Sequence, residues 1–384
     1  MIHREIYSKT GSLGANLRGF RVPLRELDTL QSVNRPLAFS YEFRDCTFGI
    51  ELENAINKKH WQNLSKYPQS IFIYSNCNEP TDCKDIARRF KNILQMYNIH
   101  QTQLYIILTD SVQAANLQNE FYNLHMFNIH IDYKTVSVLD INLNDVNRHA
   151  NTCPTKKFSI MSRRYVKDRL FFFCELAEKN LLNEFHYSFH NDDPYNRETV
   201  AKIKEIKESL PSKYKTTSIN SWVSNIPYFI NNEYDDYGEQ YSDKIYKTIH
   251  QSNFHITIET IFNEGIYSFN ASNIAPWITE KTYKPIACKK IFLCYGMKGS
   301  LEFIRQLGFK TFDGIIDETY DTIDNPEDRR NALVLEIERL SNLNEDETIQ
   351  LIDSAASIIE YNFIEFKRQK AKKWSKHFKR AKIF

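Results

Sequence analysis

Short apolar runs rich in β-branched and aromatic residues alternate along the chain with stretches whose apolar positions recur every three or four residues. That alternation predicts an α/β architecture with parallel sheets. The first series of strands is PLAFSYEF (residues 36–43), QSIFIYSN (69–76), TQLYIILTD (102–110) and NIHIDY (128–133), with helices expected over 51–64, 82–97 and 111–124 between them. The polar segment LNDVNRHANTCPTK, with Pro154, is expected to be a connector. A second series follows, with strands KKFSIMS (156–162), HYSFH (186–190), HITIET (255–260) and KIFLCYG (290–296). Its helices are expected over 167–182, 198–210, 242–250, from near Thr279, over 300–307 and over 327–340. The apolar run GFKTF (308–312) closes the series, and a last helix is expected from Glu345 to about residue 379. Domains are therefore expected at 1–150 and 151–344, with 345–384 a C-terminal helix and basic tail. No repeat at a fixed period interrupts this order.

Composition adds a boundary to that picture. The chain has 384 residues, 42% hydrophobic, with only 10 Gly and 11 Pro, which is a globular composition. Aromatic residues make up 14%, an ample supply of rings for packing. No apolar run approaches the roughly 20 residues of a membrane helix, and MIHREIYSKTGSL lacks the apolar centre of a secretory signal. The expectation is a soluble cytoplasmic protein without a membrane span, in the host cytoplasm if the chain is viral; its oligomeric state is open. Seven cysteines without a C-x-x-C pair are expected to be reduced and mostly buried. The net charge of +2 conceals an asymmetry: after Glu365 come Lys367, Arg368, Lys370, Lys372, Lys373, Lys376, Lys379, Arg380 and Lys382 with no acid among them.

Several chemistries lose their footing on motif grounds. There is no G-x-G-x-x-G, no G-x-x-x-x-G-K-[ST], no G-x-S-x-G and no H-E-x-x-H. A D-x-D pair is also missing; Asp192-Asp193 and Asp235-Asp236 are adjacent, so their side chains point apart on an extended chain. No metal site and no cofactor are expected.

Cations remain as the means of holding phosphate. In FSIMSRRYVKDR, Arg163, Arg164, Lys167 and Arg169 follow a strand at the entrance to a helix, where guanidinium forks and a helix amino end favour phosphate. In APWITEKTYKPIACKKIFLCYG (275–296), Thr279 is placed as an N-cap with Glu280 and Lys281 in the first turn. A cation there opposes the helix dipole, which suits Lys281 to meeting an anion rather than to stability. Glu280 is suited to accepting hydrogen bonds from a ribose diol.

The blocks TEKTYKPIACKKIFLCYG and GSLEFIRQLGFKTFDGIIDETYD, with the Arg329-Arg330 pair nearby, resemble the donor half of GT-B glycosyltransferases. The likeness is to a phage, giant-virus and bacterial group related to the α1,3-fucosyltransferases. KKFSIMSRRYVKDRLFFFCELAEKNLL is similar to that group's second signature, a strand ending in Asn-Arg with a further Arg opening the next helix. The resemblance spans roughly residues 156–340. It implies two Rossmann-like doubly wound domains facing a cleft, with a C-terminal helix crossing back. It further implies that Arg163 and Lys281 neutralise a donor diphosphate, that Glu280 binds the ribose and that Arg169 reaches phosphate or locks the loop. Glu259 falls where the pattern has a Glu after its strand, which implies a place for it, with Thr279 and Trp277, among the donor-binding residues. Two departures stand out: Ser162 where Asn is usual, and Trp277 where Tyr is frequent.

The expected reaction is metal-independent transfer of a sugar from a nucleoside diphosphate sugar to a hydroxyl, with fixed cations stabilising the leaving group. Glu42, Asp45 and Asp110, at the ends of first-domain strands, are the candidate bases. The favoured acceptor is a hydroxymethylated base in double-stranded phage DNA, gripped by Lys370, Lys372, Lys373, Lys376, Lys379 and Arg380. The alternatives are a surface glycan, lipid-linked sugar or protein acceptor, and a GT-B scaffold that binds nucleotide or nucleic acid without turnover.

Overall fold

In the computed structural model, the described residues are 5–8, 21–22, 37–42, 61–62, 65–66, 71–76, 83–99, 104–108, 128–131, 141–164, 167–192, 207–208, 210–228, 243–259, 262, 276 and 278–371. For the strands of the first half, and for Arg163 and Arg164, the backbone alone is described. Contacts divide the chain into two units: unit 1 comprises Met1–Val136, Tyr267–Ala275 and Gln369–Phe384, and unit 2 comprises Ser137–Ile266 and Pro276–Arg368.

Unit 1 carries strands β1 (Glu5–Ser8), β2 (Arg21–Val22), β3 (Leu37–Glu42), β4 (Ile71–Asn76), β5 (Leu104–Leu108) and β6 (Asn128–Ile131), in the order β2-β1-β3-β4-β5-β6. Every pairing is parallel. The last four are the strands expected from the pattern; β1 and β2 are additional, and β2 is only two residues long, too short to leave a periodic signal. Helix α1 (Cys83–Met96) buries Phe90, Ile93 and Leu94, three positions at helical spacing. Most of the expected helix 51–64 and all of that over 111–124 lie outside the described residues.

Unit 2 opens with α2 (Leu143–Arg148), inside the segment expected to be a connector. Asn142 caps it by accepting from the Asn144 amide, Val146 is buried, and the Val146 carbonyl accepts from His250 Nε2 at 3.1 Å. A capped turn tied to the second half explains why the division falls at 136/137 and not at the expected 150. Then come β7 (Lys156–Arg164), α3 (Lys167–Glu178), β8 (Phe185–Asp192), α4 (Thr217–Ser224), α5 (Asp243–His250), β9 (Ser252–Ile258), α6 (Glu280–Ala287), β10 (Ile291–Tyr295), α7 (Ser300–Gln306), α8 (Pro326–Ser341) and α9 (Glu345–Lys370). The expected helix 198–210 falls mostly outside the described residues.

The four strands form a parallel sheet in the order β10-β9-β7-β8. All five residues of β10 are buried, as helices on both faces require. One phenylalanine from each of three strands meets its neighbour in register: Phe158 lies 4.7 Å from Phe185 and 5.5 Å from Phe254. Phe173, Phe189 and Trp222 close a second aromatic cluster under α3 and α4, with Phe173 stacked on Trp222 at 5.7 Å. This is where much of the aromatic content goes.

The run GFKTF adds no strand. Its ends bond to neighbouring backbone, and in its middle side chains serve: the Lys310 amide donates to Asn362 Oδ1 and the Lys310 carbonyl accepts from Asn362 Nδ2, both at 2.8 Å, while the Phe312 amide donates to Glu318 Oε1 at 2.6 Å. An apolar segment whose hydrogen bonds are supplied from α9 and from the following loop needs no ladder. Helix α9 therefore stitches this segment to unit 2 through residue 368, whereas the expected division at 344 set the helix apart. Asn362→Leu leaves both Lys310 groups unpaired and is expected to cost about 2–3 kcal/mol. The measurement is a urea transition, with a lowered midpoint at unchanged slope; an unmoved midpoint would show that the segment is held by other means.

Candidate functional site

Strand β7 is the first of unit 2, with β8 on one side of it and β9 on the other. The strand order reverses between β7 and β9, and the crevice outside the carboxyl ends of such a pair is where doubly wound sheets take ligands. The last registered pair is Ile160↔Ile256, and Arg163 and Glu259 each follow three residues further along their own chain segments. Ser162 is buried, and the pairing of β7 with β8 shifts register between Ser162 and Arg164, an irregularity of the kind that re-aims chain at a site.

Glu259 is fully buried, and its carboxylate accepts from the Thr279 amide at 3.0 Å, from Thr279 Oγ1 at 2.7 Å and from Thr282 Oγ1 at 2.7 Å. Its own carbonyl accepts from Arg169 Nη2 at 3.1 Å. Glu259 thus fastens the amino end of α6 to the end of β9, and Arg169, buried in the first turn of α3, fastens the same point from the β7 side. The expectation that Glu259 touches a donor is corrected: a carboxylate with no exposed surface and three donors already engaged positions α6.

Thr279 is the N-cap, as its place in the sequence predicts, with extended backbone and Oγ1 accepting from the Lys281 amide at 3.4 Å. Pro285 lies inside α6 and cannot donate to the carbonyl of Lys281 four residues earlier. That carbonyl accepts from Thr257 Oγ1 on β9, at 3.4 Å. The face of β9 bearing His255, Thr257 and Glu259 is polar, buried and turned to α6, while Phe254, Ile256 and Ile258 fill the other side.

Glu280 lies between two ammonium groups, 3.4 Å from Lys281 Nζ and 4.0 Å from Lys284 Nζ. Lys281 Nζ also donates to Thr279 Oγ1 at 3.1 Å. Burial alone would raise the Glu280 carboxyl, but Lys281, Lys284 and hydrogen bonding outweigh it and hold the group down at about 2. Burial lowers Lys284, against the opposing pull of Glu280, and burial with Lys284 nearby pushes His255 down to about 3. The helix beginning after β10 offers no comparable anion site, because Asp321 Oδ2 already accepts from the Leu301 amide at 3.0 Å. In the turn before α7, a Cβ on Gly296 would stand 2.6 Å from Ser300 Oγ, so that hydroxyl would have to shift.

The structure thus brings together Arg169, Glu259, Thr279, Glu280 and Lys281, and places Arg163 and Arg164 by backbone at the end of β7. Lys167 is exposed in the first turn of α3, its ammonium 5.6 Å from the centre of the Phe171 ring. Glu42 is the last residue of β3. Asp45, Asp110, Trp277, Lys372, Lys373, Lys376, Lys379 and Arg380 lie outside the described residues, and Lys370 is the last residue of α9. The Arg pair is structural. Arg329 donates to the carbonyls of Phe262, Ile323 and Asp324, and Arg330 bonds Glu175 at 2.8 Å and the Tyr214 hydroxyl at 2.9 Å. Lys284 is the residue that sequence reasoning missed, although its place four residues after Glu280 was a signal for the pairing.

No family model matches the chain, and no curated protein matches it. Among solved structures, the chain is similar to the "Glycosylation Associate Protein (Gap123) complex from Streptococcus agalactiae", with 11% identity and a TM-score of 0.38, over 91% of this chain and 57% of that one. The chain therefore spans little more than half the length of that protein. Among the described residues, no helix is long and apolar enough to cross a membrane, and no group of three or more His, Cys, Asp or Glu is placed to hold a metal ion.

Because the carboxyl of Glu280 is depressed from 4.5 to about 2, it contributes stability that is complete above pH 4.5 and lost as the pH falls toward 2. Glu280→Gln is expected to flatten that part of the stability curve, measured by urea midpoints at a series of pH values. An identical acid limb in the variant would contradict the pairing.

Proposed function

We propose that unit 2 binds a nucleoside diphosphate sugar at the carboxyl ends of β7 and β9, and that the protein transfers the sugar to a hydroxyl acceptor. The observation that carries this reading is the fastened amino end of α6 at the strand-order reversal, presenting Lys281 beside the capping Thr279. A cation in that first turn opposes the helix dipole and is explained by an anion that it meets. The likeness of the TEK and SRR blocks to fucosyltransferase-like GT-B enzymes supports the same site.

In this reading Lys281, with Arg163, stabilises the charge that develops on the departing diphosphate, and no metal or cofactor is assigned a part. Glu280 takes the ribose hydroxyls. Unit 1 meets the acceptor, and the base is Glu42, Asp45 or Asp110. The full architecture is read as GT-B, with the last helix returning to the first domain. Lys281→Met is expected to lower turnover of the preferred nucleotide sugar on the order of a hundredfold. The assay is release of nucleoside diphosphate across a panel of nucleotide sugars. Tight nucleotide binding without hydrolysis or transfer would identify a binding module instead.

For the acceptor we propose a hydroxymethylated base in duplex phage DNA, on the strength of the lysine-rich end of the chain. The structure decides where to cut for the test. Phe366 is buried in α9, so a truncation after Glu365 would damage unit 2, whereas one after Ala371 removes six of the nine clustered cations and leaves the helix whole. The shorter chain is expected to bind modified DNA more weakly and with a shallower salt dependence. Equal affinity and equal salt slope for the two chains would point to a glycan, lipid-linked or protein acceptor.

A further inference from the structure

Two lysines flank one carboxylate at the start of α6, and they differ in what each can reach. The Lys281 side chain is 26% exposed, whereas that of Lys284 is 9% exposed and lies against β9. Among the described residues, the charged and titratable groups facing Lys284 include Glu280, Lys281, Glu259 and Cys288, together with His255 from the strand. Only Lys281 is placed to swing outward. A second cation within 4.0 Å of Glu280 is therefore retained whatever Lys281 does.

We infer that Lys284 is a positioning residue: it remains as the counter-ion of Glu280 when Lys281 turns to a diphosphate, so that Glu280 stays ionised and in place. This deepens the donor-site reading and rests on it. The charge count gives the reason. With Lys281 turned to a diphosphate, Glu280 and Lys284 remain as a neutral pair. Without Lys284, each nucleotide bound would strip Glu280, 15% exposed, of its neighbouring cation. A carboxylate so placed takes up a proton, because burial disfavours its charged form.

The test is calorimetric titration of the full chain at pH 7 with ADP, GDP and UDP, in buffers of different ionisation enthalpy. The wild type is expected to bind at least one of them without net proton uptake. Lys284→Met is expected to bind about tenfold more weakly and to take up about one proton per nucleotide as Glu280 is neutralised. Lys284→Arg restores both. A Lys284→Met protein with wild-type affinity and no proton uptake overturns the role of Lys284 while leaving the donor site standing. A wild-type chain that binds none of the nucleotides overturns the donor site and the inference with it. If Lys284→Met does not fold, the double variant Glu280→Gln, Lys284→Met removes both charges and is compared with Glu280→Gln alone. Equal affinities are expected, and a further loss in the double variant overturns the inference.

Discussion

The site in unit 2 depends on one buried carboxylate. Glu259 has no exposed surface, and a charge so placed is tolerated only where hydrogen bonds replace water. Thr279 and Thr282 supply them, from the cap and first turn of an eight-residue helix with a proline inside it. So short and interrupted a helix has little stability of its own. Its position is set by the end of β9 and, through the Glu259 carbonyl, by Arg169. Remove the carboxylate and the first turn of α6 loses its anchor, along with the two residues proposed to meet a nucleotide.

The same strand shows why the anchor has only one register. In a parallel sheet covered on both sides, apolar residues on both faces of a strand are the rule. Here Phe254, Ile256 and Ile258 follow it on one face, while the other face carries His255, Thr257 and Glu259 against α6. Apolar contacts tolerate sliding; hydrogen bonds between Thr257 and the Lys281 carbonyl, and between Glu259 and two threonines, do not. The proline that removes an internal helix bond creates the acceptor that Thr257 uses. Local weakness in α6 and polarity in β9 are two sides of one fit.

Cations in unit 2 divide by what surrounds them. Arg330 is matched by Glu175, Arg329 is spent on three loop carbonyls, and Arg169 is turned to the Glu259 carbonyl. These are buried guanidinium groups holding segments far apart in sequence. Lys281 is different: it sits at a surface, near a carboxylate shared with a second lysine, at the point where the sheet's strand order reverses. The proposed chemistry is concentrated there.

Strand and helix positions were largely legible in the sequence because periodicity is a local property: the four strands of unit 2, the Thr279 cap and most of the described helices follow from it. The capped turn at Asn142 and the failure of GFKTF to become a strand were not legible, since each is decided by a distant partner, His250 in one case and Asn362 with Glu318 in the other. The TEK segment could be singled out by the misplacement of a cation in a first turn, which needs no tertiary knowledge. That Glu259 holds α6, that Arg329 is consumed by loop carbonyls and Arg330 by Glu175 and Tyr214, and that Lys284 stands behind Glu280 were decided only when β9, α6, α3 and α8 packed. Burial determines which charged groups must find partners inside the protein, and burial does not exist until the chain has folded.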